Sequence, residues 1–230
     1  MPDQGLTRRS SLIRFGGLLA AAAGASGLKV ATSEGAGPAG VASGLVTCVL
    51  APEMTEGPYY IPNEKVRRNI TEGRAGTPLL LHLSVVDAST CRPIKGAAVD
   101  IWHADAGGVY SGEAVQNSVG KTFMRGIQRT NAQGLATFQT VYPGWYMGRT
   151  VHIHVKVHLG GNVVHTGQLF FRDSLTDAVY RASPYSRRPN RDTRNTTDSI
   201  YRNGGSKSLL GMHRHGSGYL GAITMGVHRS

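Results

Sequence analysis

Two histidines, His152 and His154, sit at alternate positions of the run VHIHVKV, directly after a Pro-Gly turn, PGWYMGRT, that carries Tyr146 and Arg149. Successive side chains of a strand point to opposite faces, so His152 and His154 share one face while Val151, Ile153 and Val155 share the other. Imidazoles placed side by side invite a metal ion, although two histidines also suit a plain sheet face. Tyr146 precedes His152 by six residues on a turn able to fold back over the strand end, and the Gly-rich stretch GGVYSG offers Tyr110 on another turn. Neutral imidazoles combined with tyrosines form a hard oxygen-and-nitrogen set that suits a ferric ion better than zinc. A free phenol ionises near pH 10, and a bound trivalent cation would bring that down to neutral pH. Each residue also has a bland role open to it: Tyr110 as the cap of a glycine turn, Tyr146 as packing over a sheet end, Arg149 as a surface charge, Gln168 as a partner for strand backbone.

The remaining histidines read as structural or exposed. His82, His103, His158, His165 and His228 are isolated in sequence, with His103 near enough to the motifs to orient a ligand. His213 and His215 make a second H-x-H, but MHRHG is Gly-flanked without a neighbouring tyrosine, acid or cysteine, and is read as a loop.

Short alternating or apolar blocks separated by turn residues must position these side chains, and they predict strands over 79–87, 96–105, 123–130, 135–142, 149–159, 163–171 and 222–227. NAQG and GGN read as hairpin turns between the third and fourth and the fifth and sixth of these. One helical signal stands out, DSLTDAVYR from Asp173, with Asp or Ser at its cap. The expectation is an all-β, antiparallel β-sandwich with one short helix and long loops.

Before that domain, Arg8 and Arg9 precede a short Ala/Gly-rich apolar run, the layout of a twin-arginine export signal over residues 1–25. Residues 26–44, rich in Gly, Ala, Ser and Thr, read as a flexible linker, leaving 45–230 as the domain. The only cysteines, Cys48 and Cys91, favour a disulfide in an exported chain. Residues 1–44 hold four of the 25 Lys/Arg and two of the 14 Asp/Glu, leaving 21 against 12, a net +9, for the rest. Much of that charge falls in residues 180–205. Without interleaved aromatics or a recognition helix this stretch reads as a solvated basic loop, and nucleic acid is not an expected partner.

The motifs TEGPYYIP (55–62), VDIWHADAGGVYSG (99–112), RGIQRTNAQGLATFQTVYPGWYMGRTVHIHVKV (125–157), TGQLFF (166–171) and LTDAVY (175–180) together resemble the intradiol ring-cleavage dioxygenases. The resemblance covers nearly all of 46–227 and rests on the order G-x-Y-S, P-G-x-Y, R-x-x-H-x-H, T-G-Q. It implies an Fe(III) site held by Tyr110, Tyr146, His152 and His154, with Tyr146 the ligand that yields to substrate. It further implies that Arg149 stabilises charge on the substrate and that Gln168 lies beside it. A catechol and O2 would be the substrates, and the product a muconate-type diacid. The helical N-terminal segment that pairs the dedicated catechol enzymes has no counterpart here, so their dimer does not transfer and a homo-oligomer is left open. A secreted, non-catalytic carbohydrate- or wall-binding sandwich is the competing expectation.

Overall fold

The computed structural model describes residues 49–229, so the expected signal and linker, 1–44, and Cys48 lie outside the described residues. The domain is built from eight strands: β1 (Pro78–Asp87), β2 (Ala98–Trp102), β3 (Arg125–Arg129), β4 (Leu135–Val141), β5 (His152–Leu159), β6 (Asn162–Phe170), β7 (Gly211–His215) and β8 (Gly218–Val227). They form two four-stranded sheets, ordered β4-β1-β8-β7 and β3-β2-β5-β6.

Period-two alternation decides which residues lie between the sheets. Leu79, Leu81, Leu83 and Val85 of β1 meet Val99 and Ile101 of β2 and Ile153, Val155 and Val157 of β5 in one core. The intervening residues of β2 and β5 face outward. Asp100 opposes Lys156 and Trp102 opposes His154 in the β2–β5 register, while Gln168 of β6 opposes His154 from the other side. The outer face of this second sheet therefore carries the polar residues, and it is covered rather than bare.

The cover comes from the segment before β1. Met54 donates its N–H to Thr166 at one sheet edge, and Lys65 and Arg67 bond to the backbone of Ile127 at the other edge. The strap between them, containing TEGPYY, crosses over β2 and β5.

The β5–β6 hairpin is as expected, its Gly160 and Gly161 both at positive φ (56° and 92°), the conformation a two-residue type I′ turn requires. NAQG forms a tight turn but no hairpin. Asn131 Oδ1 accepts from the N–H of Gln133 and of Leu135, and β3 then stays in one sheet while β4 enters the other. The sandwich is also not fully antiparallel, because β1 pairs β8 in parallel. The helical content exceeds one short helix. α1 (Asp173–Val179) matches the expected segment, and α2 (Ser199–Arg202) and two 3₁₀ turns (Tyr185–Arg187 and Gly205–Ser208) lie in or beside the basic stretch. His213 and His215 belong to the exposed edge strand β7, not to a loop, since the pairing His213–Leu220 extends the last strand well before Ala222.

Candidate metal centre

The site lies at one end of the outer face of the second sheet, where two connections meet. The long β2–β3 connection brings Tyr110, the β4–β5 crossover brings Tyr146 and Arg149, and β5 itself supplies His152 and His154. Gly108 fixes how closely the two connections approach: its φ is +83°, and a Cβ there would stand 2.2 Å from the carbonyl oxygen of Trp145. Arg188 donates to the carbonyls of both Gly107 and Trp145 from the basic stretch, fastening one connection to the other.

All six expected site residues come together. The Nε2 atoms of His152 and His154 lie 3.0 Å apart, and the Tyr146 hydroxyl lies 3.1 Å from Nε2 of His152. The Tyr110 ring is edge-on to Tyr146 at 5.5 Å and to His154 at 6.2 Å between centroids. Arg149 donates from Nη2 to Gln168 Oε1 at 2.6 Å, and its Nη1 lies 3.5 Å from His152 Nε2. Gln168 in turn donates to the carbonyl of Thr55 in the strap.

Protonation states follow from burial. Nδ1 of His152 is 2.6 Å from the carbonyl oxygen of Thr150. A carbonyl only accepts, so Nδ1 carries the proton and Nε2 presents its lone pair to the cluster. Burial, and then the positive charge of Arg149, push the His152 imidazole down to about 3; burial and His152 push His154 well below the usual range. Both rings are neutral, the form that ligates metals. Burial, reinforced by the neighbouring Tyr146, raises the Tyr110 phenol well above its ordinary value, and burial raises Tyr146 as well.

This cluster fits a small, highly charged cation. The Tyr110 hydroxyl is fully buried and makes no well-formed hydrogen bond, only an approach to the Tyr146 hydroxyl, a costly arrangement for a polar atom with no other purpose. Ligands about 2.1 Å from a first-row metal at right angles stand about 3.0 Å apart, which matches the spacing of the two Nε2 atoms. Among the described residues no group of three His, Cys, Asp or Glu side chains is gathered for an ion, so a metal here depends on the tyrosines.

A shell of residues that sequence reasoning did not single out supports the cluster. Trp102 stacks on His154 at 4.9 Å and 8°, and Tyr59 stacks on Tyr110 at 4.3 Å. Arg125, buried, donates to the carbonyls of Tyr59 and Ser111 and so ties the strap to the Tyr110 connection. Asp198, a buried residue of the basic stretch, receives Arg149 Nε at 2.8 Å. The alternation of β2 places Trp102 on the His154 face and was legible in principle; the partners of Arg125 and Asp198 were not. His103 does not orient a ligand. Its two ring nitrogens bond the carbonyl of Ala104 and the Thr140 hydroxyl, both at 2.8 Å.

The Dioxygenase family model matches residues 55–184, more than half of the chain. The chain belongs to the intradiol ring-cleavage dioxygenase family. It is similar to an intradiol ring-cleavage dioxygenase from Tetranychus urticae, with 39% identity over 79% of this chain and 95% of that one, and a TM-score of 0.74. The dioxygenase domain of a dioxygenase and carbohydrate-binding fusion from Streptomyces sp. SirexAA-E is 31% identical over 79% of this chain and all of that domain, with a TM-score of 0.62. Catechol 1,2-dioxygenase 1 of Acinetobacter lwoffii is 29% identical over 41% of this chain. The chain spans 32% and 52% of the length of the two curated relatives it matches. Both intradiol motifs that hold the tyrosines and the H-x-H fall inside the matched family region.

Proposed function

We propose that this protein is a non-haem Fe(III) dioxygenase that inserts both atoms of O2 into a catechol-type aromatic, opening the ring between its two hydroxyls to a muconate-type diacid. The observation that carries the reading is the convergence of the buried Tyr110, His152 and His154 with the half-buried Tyr146, beside an arginine held by Gln168. Family membership supports the reaction class, and the curated relatives are named for catechol and chlorocatechol, which supports a catechol as substrate.

Tyr110, Tyr146, His152 and His154 would hold the iron. Bound there, Fe(III) supplies Lewis acidity that favours the ionised catechol and draws electron density from its ring toward reaction with O2. The protein's own residues do the rest. Tyr146, on a partly exposed turn beside the exposed Met147 and Gly148, would be held by the iron as its phenolate and, on giving way to the catechol, would accept one of its hydroxyl protons at Oη and leave as the neutral phenol. The guanidinium of Arg149 faces the cluster, so it stabilises negative charge that develops on the ring. Gln168 holds that guanidinium in place through its Oε1, and Thr55 fixes the Gln168 amide from the strap. Tyr59, Tyr60 and Trp102 pack around Tyr110 and keep water from that side of the site.

A wall-binding module gives no physical reason to gather two tyrosine hydroxyls against two buried, neutral imidazoles. The export route remains part of the proposal, supported by Arg8 and Arg9 before an apolar run, as does a Cys48–Cys91 disulfide in the exported protein. Incubating the iron-loaded protein with catechol under ¹⁸O2 tests the central reading: a ring-opened diacid carrying two ¹⁸O atoms is expected, and a recovered or merely oxidised catechol would refute it.

A further inference from the structure

The residue that holds Arg149 most directly is not in any of the site motifs. Asp198 lies 49 residues further along the chain, and its side chain is completely shielded from solvent. One oxygen, Oδ2, accepts both the Nε–H of Arg149 and the backbone N–H of Thr150, each at 2.8 Å. The other, Oδ1, accepts the N–H groups of Ile200 and Tyr201 and so anchors the carboxylate to the start of α2. Thr150 is the same residue whose carbonyl receives Nδ1 of His152 at 2.6 Å, and its hydroxyl is bonded to Asn195 at 2.7 Å. The backbone of Thr150 thus joins the carboxylate, through its N–H, to the imidazole, through its carbonyl.

From this arrangement we infer that Asp198 is a positioning residue that sets the guanidinium of Arg149 and the ring of His152 in one geometry. The inference rests on the role given to Arg149 under the proposed function. Three contacts define the guanidinium plane: Asp198 at Nε, Gln168 at Nη2 and the His152 edge near Nη1. Gln168 is neutral and single-point and the His152 contact is long, so without the carboxylate the plane is held chiefly by one bond and is freer to tilt, and a charged acceptor gives the stronger hydrogen bond. The same loss frees the Thr150 peptide and loosens the orientation of His152. Groups that orient ligands from behind carry effects of about 10- to 100-fold on activity or metal affinity when removed. The basic stretch therefore contributes to the site through its one buried acid, and its positive charge is incidental to that contribution.

The test compares wild type, Asp198→Asn, Arg149→Ala and the double variant in the full chain. In the metal-free protein, the Arg149 Nε–H should appear as a slowly exchanging ¹⁵N–¹H resonance that vanishes in Asp198→Asn, while the β5 and β6 amides keep their shifts. In the iron-loaded protein, Asp198→Asn should lower kcat with catechol by about 10- to 100-fold with a smaller change in KM, and its cost should be clearly smaller in the Arg149→Ala background, where only the contribution through Thr150 and His152 remains to be lost. Asp198→Ser retains a hydroxyl cap for α2 and replaces Asp198→Asn if that variant melts below the assay temperature. A rapidly exchanging Nε–H in wild type, or an Asp198→Asn loss that multiplies fully with that of Arg149→Ala, overturns the inference. Normal turnover in Asp198→Asn alongside a crippled Arg149→Ala overturns it while leaving the proposed function standing. Normal turnover in Arg149→Ala removes both the arginine's role and this one, and absence of ring cleavage in wild type removes the function while the resonance still reports the contact.

Discussion

At the scale of single residues, the Tyr110 hydroxyl separates a metal ligand from a packed phenol. Its approach to the Tyr146 hydroxyl falls short of a well-formed hydrogen bond, so its deletion in Tyr110→Phe removes a desolvation cost and breaks at most that weak contact. Metal-free Tyr110→Phe should melt at or above the wild-type temperature, while iron loading should no longer produce the wild-type visible spectrum. Calorimetry and absorbance on the same samples check both halves, and an unchanged spectrum takes Tyr110 out of the ligand set. Arg149→Ala should reduce turnover at least about tenfold with iron content nearly unchanged, measured by oxygen uptake against metal analysis. The six residues named from the sequence were legible because each sits in a short motif whose period or turn fixes its direction. Asp198 was not, since a contact across 49 positions leaves no local pattern. Nor was the environment of Asp100, whose charge is set by burial under a strap and by the distant Tyr60 and Lys156.

At the scale of elements, alternation predicted which faces of β1, β2 and β5 would be buried, and the strands formed there. What alternation does not encode is partner choice. NAQG closes a tight turn whether its flanking strands pair or part, and here they part into different sheets. The parallel β1–β8 pairing depends on the chain returning from a segment of more than 100 residues, beyond any turn signal. The strap was visible as the motif TEGPYY but not as a cover. Gly57 shows how closely it lies: its φ is +72°, and a Cβ there would stand 3.2 Å from Cε1 of His154. Gly57→Ala should therefore cost about 1–3 kcal/mol from the left-handed backbone alone and also displace the His154 ring. Denaturant melts would show the first effect, and weakened iron retention against a chelator the second; full iron retention would mean the strap does not bear on the site.

At the scale of the whole molecule, the sandwich buries aliphatic side chains between its sheets and puts ionisable ones beneath a strap on the outer face. That division predicts how the metal-free protein responds to pH. Burial holds His103 at about 4 in the fold against about 6.5 unfolded. Its neutral form then contributes stability that is full above about 6.5 and is lost as pH falls toward 4, about 3 kcal/mol in all. His152 and His154 act in the same direction. Asp100 opposes them: burial raises its carboxyl to about 7, so the folded state retains a proton that the unfolded chain releases, and its stabilising effect is lost as pH rises from about 4 to 7. Three histidines outweigh one carboxyl, so melting temperature should fall as pH drops from 6.5 to 4, and Asp100→Asn should raise it at pH 8 with little change at pH 4. A melting temperature that stays level from pH 6.5 to 4 would contradict the neutral buried histidines.

The central claim is that Tyr110, Tyr146, His152 and His154 hold one ferric ion that engages a catechol. The measurement that meets it most directly is the visible spectrum of the iron-loaded protein, recorded without oxygen before and after adding catechol, and then with oxygen admitted. A tyrosinate-to-iron charge-transfer band that shifts on addition of catechol and decays when oxygen enters is the predicted result. A protein holding stoichiometric iron yet showing no such band would contradict the claim, because the tyrosines would then not bind the metal.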